Sequence, residues 1–95
     1  METPRLVTLP REQYLRRDET RIRSEAGRLQ HGDPAIAAHL NAVLSAEDLH
    51  DYHLAAEEHF EGKRDRARTE RHQRLKDQSL QLKLHHLDQL AHLIL

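Results

Sequence analysis

Residues 75–94 read LKDQSLQLKLHHLDQLAHLI, and the spacing of their leucines decides the fold. Leu80, Leu84, Leu87, Ala91 and Ile94 recur every three or four positions, the interval that gathers side chains on one face of an α-helix. Leu75, Leu82, Leu90 and Leu93 lie beside or near that stripe and widen the apolar surface to about half the helix circumference. So broad a surface needs more than one neighbouring helix. Composition agrees, because 37% of the chain is apolar yet ten residues are alanine and only two tyrosines and one phenylalanine are aromatic. Two valines and three isoleucines cannot furnish the β-branched runs of a sheet. The sequence predicts an all-α fold, a three- or four-helix bundle that contains an antiparallel helical hairpin with a long C-terminal helix.

Upstream, Gly62 and the charged run from Lys63 to Arg68 break the periodicity and predict a turn, so the last helix is expected over about 66–94. The strongest boundary is Gly32-Asp33-Pro34. Glycine there suits a left-handed helix exit, aspartate caps the next helix, and proline takes its first position. The first helix is expected over about 10–31, starting at Pro10 with Thr8 as cap. Tyr14, Leu15, Ile22, Ala26 and Leu29 recur along it, and the heptad spacing of Leu15, Ile22 and Leu29 forms a narrow seam of the coiled-coil kind. After Pro34 the apolar set Ile36, Leu40 and Val43 gives way to Leu49, Tyr52, Ala56 and Phe60, which point about 200° away at 100° per residue. That change predicts a break near Ser45, where Ser45-Ala46-Glu47-Asp48 offers a cap, and divides the segment into helices over about 34–44 and 46–61. One continuous helix covered on both faces is the alternative. At 95 residues the chain, 1–95, is expected to be a single domain.

Fifteen Lys and Arg against sixteen Asp and Glu leave no global attraction to nucleic acid or to an anionic membrane. The charges are segregated, with seven acids and no Lys or Arg over residues 33–61 and seven cations over residues 62–76. Cysteine is absent, which excludes disulfides and thiolate metal sites. The start lacks the basic and apolar regions of a secretion signal, and a cytoplasmic location is expected. No apolar stretch approaches the roughly 20 residues needed to span a bilayer.

Nine histidines raise the question of metal or acid–base chemistry. His50 and His53 with Glu57, and His85, Asp88 and His92, each share a helical face and can present imidazole and carboxylate together. Residues three and four apart are neighbours on any helix, however, and neither an H-E-x-x-H motif nor paired Glu-x-x-His motifs occur. No metal or other cofactor is therefore expected. Catalysis finds no support either, since phosphate loops and nucleophile motifs are missing. Arg64, Arg66, Arg68, Arg71 and Arg74 form the charged surface best suited to phosphate contacts. No aromatic residue interleaves with them, and complementing the acids across a helical hairpin is the stronger reading.

Two segments carry a resemblance. Leu75-Lys76-Asp77-Gln78-Ser79-Leu80-Gln81-Leu82-Lys83, with Leu87 and Leu90 beyond, resembles the second helix of the YdcH-like family of small bacterial proteins, where an L-K-x-Q-x-L-x-L-K pattern recurs. Leu49-His50-Asp51-Tyr52-His53, followed by Ala56, Glu57 and Phe60, is similar to that family's first helix. The likeness covers residues 46–94, and the family's acidic pair after the second lysine is replaced here by Leu84-His85-His86. It implies a helical hairpin that self-associates, and no enzyme activity.

The functional expectation is a non-catalytic protein-interaction module, a small adaptor, regulator or inhibitor. Its partner, another protein or a second copy, is expected on Leu80, Leu82, Leu84, Leu87, Leu90 and Ile94. A histidine-dependent metal-binding or pH-responsive protein, and nucleic-acid binding through residues 63–76, are the alternatives.

Overall fold

Asp33 fixes where the second helix begins. In the computed structural model, which describes residues 10–94 and the side chains of residue 15 and residues 17–94, the Asp33 carboxylate accepts from the backbone N–H of Ala35 at 3.0 Å and of Ile36 at 3.3 Å. Pro34 follows at the first helical position, where no backbone donor is needed. Three α-helices result: α1 (Pro10–Leu29), α2 (Pro34–Gly62) and α3 (Arg66–Ile94), with a 3-10 turn over Gln30–Gly32 after α1. The described residues contain no strand. The cap expected at Thr8 and the side chain of Tyr14 lie outside what is described.

α2 and α3 form the antiparallel hairpin. Their connection is a Schellman turn: the Asp65 N–H reaches the Phe60 carbonyl at 2.9 Å and the Arg64 N–H reaches that of Glu61 at 3.0 Å. Arg64 takes the left-handed position, with φ of 58°, at a cost of about 1–2 kcal/mol for a residue bearing a Cβ. Asp65 then caps α3 by accepting from the Arg68 N–H at 3.1 Å. The left-handed exit expected at Gly32 is absent, because α1 tightens into the 3-10 turn and no glycine has positive φ.

The break expected at Ser45 is also absent, and the segments 34–44 and 46–61 are one helix. The physical reason is burial. Ala46 is fully buried, so the inward face continues past Ser45, while Leu49 and Tyr52 remain 47% and 63% exposed and exert no demand that the chain bend. All three helices meet in one core. Leu15, Ile22 and Ala26 of α1 close against Ile36, Leu40 and Val43 of α2 and Leu84, Leu87, Leu90 and Ala91 of α3, with Leu29, Leu80 and Ile94 packed at its margin. α1 covers one flank of the hairpin only.

Candidate functional site

Two histidine pairs mark the register of the hairpin. His39 on α2 meets His86 on α3 with 2.9 Å between Nδ1 atoms, and His53 meets His72 at the same separation. Moving from one pair to the other takes fourteen residues on either helix, two heptads, or about 21 Å along the axis. The layer midway between them places Ala46 opposite Ser79, both buried. Ser79 turns its hydroxyl to the Leu75 carbonyl at 2.9 Å, so this layer contributes little bulk and lets the backbones approach. The seam therefore reads imidazole pair, small pair, imidazole pair.

Within each pair the ring centroids stand 5.1 and 5.2 Å apart, which exceeds the nitrogen separation by about one ring radius at either end. The two nitrogens thus lie on the line between the rings, the arrangement of one N–H donating to one lone pair rather than of two lone pairs converging on a metal ion. Phe60 stacks on His72 at 5.6 Å, and Tyr52 meets His53 edge-on at 5.1 Å. Desolvation, then the His72 imidazole and Arg71, lower the pKa of His53; desolvation, then His39 and His85, lower that of His86.

The residues singled out for metal do not assemble. Among the described residues no three His, Asp or Glu side chains are grouped to hold an ion. His50 lies 3.5 Å from neighbouring Asp51, His92 turns its Nδ1 to the Asp88 backbone carbonyl at 2.8 Å, and the His85 ring lies edge-on to His86. Only His53 belongs to the seam, with a partner on the other helix.

Where the three helices converge, Glu19 and Arg23 of α1, Glu47 of α2 and Lys83 of α3 alternate in charge. Arg23 Nη1 lies 2.8 Å from Glu19 and 2.7 Å from Glu47, and Lys83 Nζ lies 3.2 and 3.0 Å from the same carboxylates. The Arg23 hydrogen bond is the main reason the Glu47 pKa is lowered, with the Lys83 ammonium adding to it. This cluster ties α1 to the hairpin, and Glu47→Gln is expected to cost about 1 kcal/mol in urea unfolding. Arg28→Ala on the exposed Glu25 pair should leave the midpoint unchanged.

The complementary hairpin expected from segregated charge forms only in part. Lys76 pairs with Glu57 at 2.6 Å, whereas Glu47 turns to Arg23 and Lys83. Arg68 pairs with nearby Asp65 at 3.6 Å and lies over the Phe60 ring. Among the described residues Arg64, Arg66, Arg71 and Arg74 form no ion pair. An open depression of about 320 Å³ at the turn is lined by Glu61, Arg64, Arg66, Thr69 and Glu70, whose charges offset one another.

The leucine face expected to bind a partner is mostly closed within the chain. Leu84, Leu87 and Leu90 are buried in the core, and Leu80 and Ile94 pack against it. The correction follows from α1, which occupies the flank of α3 on which Leu84 and Ala91 lie. Leu82 alone of that set stays exposed, at 45%. On α3, Leu75, Leu82 and Leu93 follow one line on the other side of the seam, and on α2, Ala42, Leu49 and Ala56 do the same at heptad spacing. Together they form an outer face opposite α1, from which Leu49, Tyr52, Leu82 and Leu93 project as the large exposed apolar groups. Leu44 and Leu54, also exposed, stand on the α1 flank instead. Arg68, Arg71 and Arg74, three residues apart, border the outer face toward the turn.

Comparisons with protein-family models, curated proteins and solved structures give no match. No described helix is long and apolar enough to cross a membrane.

Proposed function

We propose that the chain is a non-catalytic protein-interaction module that receives an amphipathic helix of a partner protein on the outer face of the hairpin. The observation that carries this reading is the row of Leu49, Tyr52, Leu82 and Leu93, large apolar groups left exposed along the flank that α1 does not cover. Scattered exposed leucines need no explanation, but large apolar groups that follow one side of a packed seam do. Arg71 and Arg74 at its border have no ion-pair partner among the described residues, which favours acids beside the partner's apolar stripe. The resemblance of residues 46–94 to a self-associating hairpin accords with a helical partner, a second copy included.

A photoreactive amino acid at position 82 tests the reading in the host, beside light scattering of the pure chain over a concentration series. A cross-linked protein lost from Leu49→Asp and Tyr52→Asp chains is the expected result. A monomer at all concentrations that forms no cross-link at position 82 would overturn it.

A further inference from the structure

We propose that the His39–His86 and His53–His72 pairs form a proton-operated latch in the hairpin: each pair joins α2 to α3 while a single proton lies between its two Nδ1 atoms, and a proton on both Nδ1 atoms parts the helices. In the neutral pair one ring donates from Nδ1 and the other accepts there with its lone pair. A first added proton goes to the free Nε2 of the donor ring and leaves the bond in place, strengthened by charge. A second can go only to the accepting Nδ1. It removes the lone pair that made the bond, turns two N–H groups toward each other at 2.9 Å, and sets two imidazolium charges side by side.

Among the described residues none of the four rings has an ion pair with a carboxylate. Around His53 and His72 the titratable groups three or four residues away are His50 and Glu57 on α2 and Arg68 and Lys76 on α3; Arg71 is adjacent to His72, Tyr52 lies edge-on to both rings, and Asp51, Glu70 and Arg74 stand two residues away along their helices. Glu57, the one carboxylate three or four residues from either ring, is held by Lys76, and Asp51 lies beside His50. Around His39 the positions one turn away on α2 are Ala35, Ile36, Ala42 and Val43; around His86, α3 supplies Lys83, the adjacent His85 and, two residues on, Asp88. α1 commits Glu19 and Arg23 to Glu47 and Lys83. The lowered pKa of His53 and of His86, owed first to desolvation and then to the facing imidazole, agrees with a second proton being refused.

The sign follows from linkage. An unfolded chain takes protons on all four imidazoles near the ordinary value of about 6.5. The folded hairpin refuses two of them, so its stability is complete above that value and falls as the pH drops below it, toward the lowered folded values of His53 and His86. The unfolding constant rises by up to about tenfold per pH unit for each refused proton. Carboxylates titrate lower, which leaves the range from about pH 7.5 to about pH 5 to histidine. Loss of the outer face on opening rests on the docking reading above; the latch itself does not.

Thermal unfolding of the full chain by circular dichroism between about pH 7.5 and about pH 5, beside imidazole nitrogen NMR over the same range, tests the latch without any partner. The expected result is a melting midpoint that drops on acidification, with each pair titrating in two separated steps. In the His72→Asn, His86→Asn double variant an uncharged side-chain amide stands near each former Nδ1, and the drop should largely vanish. A wild-type midpoint independent of pH, an equal drop in the double variant, or four imidazoles titrating independently in the wild type would overturn the proposal. The NMR arm decides even if the double variant does not fold.

Discussion

Leu87→Ala is expected to lower the folding free energy by about 2–5 kcal/mol, enough to consume much of the roughly 5–15 kcal/mol available to a small domain. Leu82→Ala, five residues earlier on the same helix, should change it by no more than about 0.5 kcal/mol. Both leucines belong to the set expected from the sequence to bind a partner. Leu87 is fully buried where α1, α2 and α3 meet, so removing its side chain leaves a cavity walled by residues of three elements that cannot all close on it. Leu82 faces outward at 45% exposure, and its truncation surrenders little buried area. Urea unfolding of the two variants side by side makes the measurement. Equal losses would mean that α3 is rotated about its axis relative to the packing described, and the outer face would not exist as drawn.

The features legible in the sequence are those fixed by local chemistry. Asp33-Pro34 announces its helix start because an acceptor side chain and a missing donor act within three residues, and the turn before Arg66 shows itself through the loss of apolar periodicity. What failed depends on partners distant in sequence. The break at Ser45 follows only if Leu49 and Tyr52 must be buried, and they are not. The left-handed position falls on Arg64 instead of Gly32, since the hairpin turn requires it there whichever residue the sequence supplies. The breadth of the leucine stripe on α3 was readable, but which half α1 would cover was not, as that depends on the rotation of α3 against the other helices. Within a single helix, at spacings of three and four, the histidines show nothing of the seam. A signal for it was present: His39, Ala46 and His53 on one segment, and His72, Ser79 and His86 on the other, repeat the same heptad steps in opposite directions.

Ala46→Leu should destabilise the protein by about 1–3 kcal/mol, although leucine is the better choice for a heptad core position on hydrophobicity alone. Register places Ala46 against Ser79, and both are buried although neither carries a large side chain, so little side-chain bulk separates the two helices at this layer. The added methylenes have to push α2 and α3 apart. The imidazole pairs lie about 10 Å away on either side along a stiff seam, and a displacement of a few tenths of an ångström at the centre is felt at nitrogens already 2.9 Å apart. Two readouts should therefore move together, the melting midpoint and the shared-proton signature of the histidines in the nitrogen NMR spectrum. Ser79→Ala is the control: its hydroxyl bonds only to the Leu75 carbonyl one turn back, so its loss should stay within about 0.5 kcal/mol and leave the imidazoles unchanged. If Ala46→Leu proved as stable as the wild type, the helices would have to be farther apart at the Ala46–Ser79 layer than the histidine register requires, and neither pair could then hold its proton between nitrogens on opposite helices.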